Sequence, residues 1–355
     1  MRSGAKIVVA PGMDPTAVNR MFSVPEAFVS MCKIVREDES TGFLNPTQAQ
    51  VRTIRAIEAN KWTYVTKYRQ AKITTITLMH LLLRDCMYLQ GIAGMLIADT
   101  NATAEMAFKR LRFAYESLPE PVKMPLAAGS KGSKKELEFI HGGNIIIKSL
   151  EGRAPAVGHS IDRLHITELG EAIHQQKAII NLFPGINKRP NAKLVIESTP
   201  GRAGSFHERM WHEALRREGQ FFPLFLEWWK DETCRIPAPK DFVPTEAELD
   251  YMGAHHGMDL DNLFFMRTRL RSEFVGDTRL YSAKYPSDAY DGWIGSQRPM
   301  MPEDVLRRLL DSAIEDPQEG SHGCGEFERP MEGREYEVYA DPTGFGSVGD
   351  PAALT

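Results

Sequence analysis

Between residues 62 and 226, short apolar runs rich in β-branched and aromatic residues alternate with longer stretches whose apolar positions recur every three or four residues. The first pattern predicts strands at 62–66, 94–98, 163–167, 193–198 and 221–226, and the second predicts helices at 74–89, 102–117, 171–181 and 205–217. Strands separated by helices are joined by crossovers, and crossovers make neighbouring strands parallel. The expected fold class is therefore α/β, with a mostly parallel sheet covered by helices on both faces. Residues 137–140 and 144–149 break the pattern and read as a hairpin turning at His141-Gly142-Gly143.

Outside that region the signals are weaker. The 355 residues are enough for about two domains. Residues 1–42 read as an irregular lead-in with one amphipathic stretch at 25–36. Residues 236–244 are proline-rich and read as a linker. A helical region is expected at 245–278, opened by the capping-box pair Thr245 and Glu248. A further helix at 302–312, a loop rich in Gly, Glu and Pro at 316–333, and a strand at 335–340 ending at Asp341 complete the reading.

Composition excludes several classes. With 43 Lys and Arg against 47 Asp and Glu, the net charge is −4, so a histone-like or basic-arm binder is excluded. No apolar run approaches the ~20 residues of a membrane span, and no membrane role is expected. The apolar run at 7–10 is short and ends at Pro11-Gly12, so no signal peptide is expected. Cys32, Cys86, Cys234 and Cys324 are far apart, which fits neither a zinc-ligand pair nor a disulfide framework, and a reducing intracellular setting is expected.

Four segments carry chemistry. Residues 62–75 place a strand, a basic turn (Lys67, Arg69, Gln70, Lys72) and a helix that opens with Thr74 and Thr75. The free N–H groups of a helix start attract anions, a lysine neutralises phosphate, and a hydroxyl reaches Mg²⁺. The turn contains no glycine, and by itself it is equally a solvated basic turn. Arg163-Leu-His-Ile-Thr-Glu168 is a short strand ending in a carboxylate, which at the C-terminal edge of a parallel sheet can orient an attacking water. Lys193-Leu-Val-Ile-Glu-Ser198-Thr199-Pro-Gly ends a strand in hydroxyls suited to sensing a phosphate, or in an ordinary turn. Gln48, at a helix start, offers a donor and an acceptor to an adenine edge.

The order of these segments resembles the large terminase subunit of tailed bacteriophages. The resemblance rests on Gln48, Lys67-Tyr-Arg-Gln70, Leu164-His-Ile-Thr-Glu168, Ile196-Glu-Ser-Thr199, Phe206 and Trp211. It extends over Pro223-Leu-Phe-Leu-Glu-Trp-Trp229, Gly276-Asp277, Tyr281, Lys284-Tyr-Pro286 and Ala289-Tyr290, so that it runs from about residue 43 to 355. It implies a P-loop ASCE-type ATPase core at 43–235, a linker and small helical lid at 236–333, and the start of an RNase H-like nuclease at 334–355. It implies an ATP- and Mg²⁺-dependent motor moving viral double-stranded DNA into a procapsid, working with portal protein and small terminase subunit. A ring on the portal, a monomer when isolated, and the host bacterial cytoplasm belong to the same expectation. Residue by residue, it implies that Gln48 contacts adenine and that Lys67, Arg69, Gln70, Lys72, Thr74 and Thr75 surround the phosphates. Thr74 reaches Mg²⁺, Glu168 is the catalytic carboxylate, Ser198 and Thr199 couple hydrolysis to motion, and Asp341 is the first nuclease carboxylate.

This chain departs from that pattern at three places. Lys72 stands where a glycine is usual, and both Lys67 and Lys72 remain candidates for the phosphate lysine. Thr167 replaces a common aspartate. The arginine that often precedes the catalytic acid is replaced by Val157, with Arg153 nearby. A single aspartate at 341 does not make a two-metal site, so no nuclease activity is expected of this chain. Two other readings compete: a helicase-like DNA translocase, and a degenerate non-hydrolysing protein that docks to portal or small terminase.

Overall fold

The computed structural model describes residues 6–36, 38–130, 133, 135–151, 160–172, 175–187 and 191–293, with 318–319 and 325–326. The chain divides into units at 1–296 and 297–355. In the second, Gln318–Glu319 pairs antiparallel with Gly325–Glu326. The helix expected at 302–312, the strand at 335–340, and Asp341 and Arg153 lie outside the described residues.

The chain enters through α1 (Pro15–Ser23), where Asp14 accepts from Thr16 N and Pro15 takes the first turn. Helix α2 (Ala27–Met31) and an antiparallel pair, β1 (Lys33–Val35) with β2 (Thr41–Phe43), follow. The lead-in read as irregular is thus structured: Val18, Met21, Phe28 and Val29 are buried in the main core. Helix α3 (Gln48–Ala59) starts at a capping box between Thr47 and Gln50.

The central sheet has seven strands in the order β5-β6-β4-β7-β8-β3-β9. They are β3 (Trp62–Thr66), β4 (Ala93–Ala98), β5 (Glu136–Glu138), β6 (Asn144–Ser149), β7 (Arg163–Thr167), β8 (Lys193–Ser198) and β9 (Phe221–Phe225). All run parallel except β5, the outer arm of the expected hairpin. Strands β3 and β7 are buried along their whole length, as expected for strands covered on both sides.

Successive side chains divide between the two faces. On one face Val65, Leu96 and Val195 join the core formed with α3, the helix after β3, and α6 (Asn101–Glu116). On the other, Trp62, Tyr64, Met95, Ile97, Leu164, Ile166, Leu194 and Ile196 meet α7 (Gln175–Asn187) and α8 (Phe206–Leu215). The helix after β3 is one rod in three pieces: α4 (Ile73–Thr77), a π-helical stretch Leu78–Arg84, and α5 (Asp85–Tyr88). The widened turn points His80 and Arg84 inward, where Glu58 and Asp85 receive them.

Beyond β9 the expected 245–278 helix is divided. Helix α9 (Glu246–Ala254) ends before Gly257, whose φ of +91° suits glycine, and Asp259 caps α10 (Leu260–Ser272). Helix α11 (Thr278–Lys284) completes the group. Trp228 is fully buried against Phe265, Tyr281 and Tyr285, which fastens these helices to the end of the sheet. Among the described residues no helix is long and apolar enough to cross a membrane.

Candidate nucleotide site

The C-terminal ends of β3, β7 and β8 lie side by side, with β8 in the middle. In parallel sheets this edge is where ligands bind. The turn from β3 to α4 is anchored at four points. Lys67 N donates to Ser198 O (3.0 Å) and Arg69 N to Lys284 O (2.7 Å). Tyr68 Oη donates to Asp231 (2.5 Å), and Gln50 Nε2 donates to Ala71 O (3.1 Å). Within the turn Gln70 and Lys72 hold φ of +67° and +56°, the left-handed region that glycine enters freely. Lys72 therefore takes the backbone conformation of the glycine expected there, at a strain of about 1–2 kcal/mol. Glu168, at the end of β7, is left-handed too (φ +53°). Strain at these facing loops is held in place by the anchors around them.

Lys67 and the two acids meet in the space between these loops. Lys67 Nζ lies 2.8 Å from Glu168 Oε1 and 3.1 Å from Glu197 Oε2. The Lys67 and Glu197 side chains are 5% and 0% exposed, and Glu168 is 28% exposed, open on one side. Burial works against the charge on Lys67, but the two carboxylates outweigh it and hold the ammonium above its usual pKa. Burial likewise opposes ionisation of Glu197. The charge of Lys67, the nearby His165 ring and the hydrogen bond from Thr167 prevail there and bring it down to about 2. Glu168 goes the other way: burial and the charge of Glu197 raise its pKa despite Lys67. Thr74 Oγ1 donates to Glu197 Oε1 at 2.6 Å and lies 3.1 Å from Thr167 Oγ1. His165 Nε2 is 3.5 Å from the same carboxylate.

A second set of contacts leads away from the acids. Gly170, in the turn Leu169–Glu171, donates its N–H to Ser198 Oγ (2.9 Å). A Cβ there would fall 2.9 Å from Ser198 Oγ and 3.0 Å from Thr199 O, so the approach requires glycine. His207 Nε2 lies 3.1 Å from Thr199 O and its Nδ1 2.5 Å from Tyr64 Oη. Burial lowers His207 to about 4. Lys284 joins both loops: its carbonyl receives Arg69 N, and its Nζ pairs with Glu171 (2.6 Å).

Of the residues singled out from sequence, Lys67, Thr74, Glu168, Ser198 and Thr199 converge at this edge. Arg69, Gln70 and Lys72 are exposed along the turn, and Thr75 is half-buried after Thr74. Gln48 is exposed on the first turn of α3; the glutamine that reaches the turn is Gln50, two residues on. Sequence reasoning missed Glu197, Gln50 and Lys284. A glutamate in the otherwise apolar run Leu194-Val-Ile was the available signal for Glu197, because buried glutamates occur with partners.

The sheet order, the strained turn after β3 and the lysine facing an acid across the edge define a P-loop fold. More particularly, it is the fold of the ATPase domain of bacteriophage large terminases. The chain superposes on the HK97 bacteriophage large terminase with a TM-score of 0.52 at 15% identity, over 83% of this chain and 59% of that one. It is also similar to the Thermus phage P74-26 large terminase ATPase domain (TM-score 0.43, 13% identity, 69% and 94% of the two chains). A third neighbour is the large terminase of a thermophilic bacteriophage in complex with ADP (TM-score 0.43, 8% identity, 60% and 51%). The chain spans about three-fifths of the length of the HK97 protein. No protein-family model and no curated protein sequence matches it.

Proposed function

We propose that this chain is the ATP-hydrolysing motor unit of a phage-type DNA-packaging enzyme. The observation that carries the reading is Lys67, anchored at the end of β3 and shared by two carboxylates from facing strands. In this reading ATP is the substrate, and its phosphates draw Lys67 away from Glu168. The released Glu168 faces the open side of the site and accepts the proton of the attacking water as the oxygen bonds to the γ-phosphorus and ADP leaves. Burial and the charge of Glu197 raise its pKa, which makes its ionised form a better base than an exposed glutamate.

The oxygen donors Thr74, Thr167 and Glu197 fit Mg²⁺, a hard cation that takes few protein ligands and completes its shell with phosphate and water. Bound there with ATP, Mg²⁺ would offset the charge that develops on the phosphates. Thr74 is its expected ligand. Gln48 and Gln50 border the adenine side, and Arg69, Gln70, Lys72 and Thr75 the phosphate turn. Ser198 and Thr199, tied to the Glu168 loop through Gly170 and to α8 through His207, pass the loss of phosphate outward.

The division into core (43–235), lid (236–333) and a nuclease start (334–355, with Asp341) belongs to the same proposal. So do double-stranded DNA, portal and small terminase as partners, a ring on the portal, and the host cytoplasm. DNA contact of this kind is to phosphates and weakens steeply with salt. The test is steady-state hydrolysis by Glu168→Gln. Turnover should fall at least about 100-fold, while affinity for a non-hydrolysable ATP analogue stays within about threefold. Wild-type turnover in the variant rejects the assignment, and a wild-type chain without ATP affinity favours a non-hydrolysing docking protein.

A further inference from the structure

Glu197 is the most deeply buried acid at the site, and the mechanism above names it only among the oxygen groups that fit Mg²⁺. It lies on β8 in register with Thr167 on β7, so the two side chains rise side by side from neighbouring strands toward α4. Both hydroxyls in reach, Thr74 and Thr167, donate to its Oε1. Among the described residues its Oε2 makes only the ion pair with Lys67, out of hydrogen-bond alignment. Both ring nitrogens of His165, fully buried beside it, lack hydrogen-bond partners among the described residues.

Two physical consequences follow. A hydroxyl has one proton and two lone pairs. With its proton directed at Glu197, Thr74 keeps its oxygen lone pairs for a cation and has no proton left to oppose one. Second, Glu168, Glu197 and Lys67 sum to one excess negative charge in a largely buried space, and a divalent ion reverses that imbalance. When Lys67 turns to a phosphate, Glu197 loses its only ion-pair partner among lysines and arginines of the described residues, unless a metal takes that place.

We infer that Glu197 is the positioning residue for magnesium, orienting Thr74 and supplying the negative charge that Thr167, opposite it on β7, does not provide. The inference rests on the proposed nucleotide site and assigns this chain's acid to the strand beside β7. Because Thr167 Oγ1 lies 3.1 Å from Thr74 Oγ1, an aspartate at 167 would make the same contact from the other strand.

The test measures binding of a fluorescent non-hydrolysable ATP analogue with excess Mg²⁺ and with EDTA, for the wild type, Glu197→Gln and the exchange variant Thr167→Asp/Glu197→Thr. Mn²⁺ affinity is read in parallel by electron paramagnetic resonance. In Glu197→Gln the Mg²⁺-dependent gain in affinity and the Mn²⁺ affinity should fall about 10- to 100-fold. Affinity in EDTA should hold or rise, because a negative charge near the phosphates is gone. A fold defect would weaken both conditions together. The exchange variant should regain most of the metal dependence. An unchanged metal dependence in Glu197→Gln overturns the inference, as does a folded exchange variant that regains none. If Glu197→Gln does not fold, the exchange variant alone decides. A wild-type chain that binds no analogue in either condition overturns the nucleotide site itself.

Discussion

The molecule buries two clusters of charge, and they are built on opposite principles. One lies between α3, the π-helical stretch and the start of β7. Arg84 pairs with Glu58 (2.6 Å) and Asp85 (2.7 Å), and Arg163 pairs with Asp85 (2.5 Å) and donates to the carbonyls of Asp162 and Asn191. Two arginines meet two acids, and Nη1 of the second arginine finds two carbonyls. The other cluster, at the opposite end of the same strands, sets Lys67 against both Glu168 and Glu197, with strained backbone at Gln70, Lys72 and Glu168. A balanced, saturated cluster asks for nothing further. An unbalanced one held by strained loops gains when a ligand arrives, and functional sites characteristically give up stability for that readiness.

The comparison is tested most severely by making the same chemical change in both clusters. Asp85→Asn leaves two buried arginines short of charge, and it should cost about 3–5 kcal/mol in urea unfolding. Glu168→Gln removes a carboxylate whose ionisation the fold disfavours, so stability at neutral pH should stay within about 1 kcal/mol of wild type or rise. Equal losses in the two variants would break the distinction between scaffold and site.

Acid sharpens it further, because the two site glutamates titrate with opposite signs. Glu197, lowered to about 2 in the folded chain, contributes stability that is complete above the unfolded value near 4.3 and is lost as pH falls toward about 2. Glu168 is raised in the folded state, so its ionised form penalises folding above that pKa, and the penalty fades as pH falls through it. Unfolding midpoints should therefore decline below about pH 4.3 in the wild type and decline less in Glu197→Gln. The acidic limb of kcat/KM should sit above the ordinary glutamate range, since the free site's base governs it.

How much of this was legible beforehand differs between the sheet and the site. Strands 62–66, 163–167 and 193–198 agree residue for residue with expectation, because short runs rich in β-branched and aliphatic residues between polar boundaries mark them. Helix α1 was missed although Asp14-Pro15 spells a cap and a first turn; it is short, and only Val18 and Met21 of it are buried. The π-helical stretch leaves no trace in periodicity, since it is set by Glu58 and Asp85 reaching His80 and Arg84. Lys67 and Glu168 were readable as strand-end residues. Glu197 was not, because its meaning depends on β7 and β8 being neighbours with Thr167 opposite, and strand order is not written locally. The choice between Gln48 and Gln50 likewise rests on the capping box, which turns Gln50 inward toward Ala71 and leaves Gln48 exposed.

The smallest expected effect concerns Lys72, where strain and charge can be separated. Its left-handed φ costs about 1–2 kcal/mol in a non-glycine residue. Lys72→Gly relieves that cost but gives the unfolded chain more freedom, worth about 0.4–1 kcal/mol in the other direction. These two backbone effects together favour the glycine variant by between zero and about 1.6 kcal/mol in unfolding free energy. If Lys67 is the phosphate lysine, the side chain lost at 72 is an exposed one, and analogue affinity should change by no more than about threefold. Lys67→Ala, by contrast, removes a buried cation between two carboxylates and should abolish tight binding. A stability gain together with a loss of affinity in Lys72→Gly would mean that the exposed turn, rather than the buried cluster, carries the phosphate charge. The functional imbalance would then have to be counted with Lys72 included.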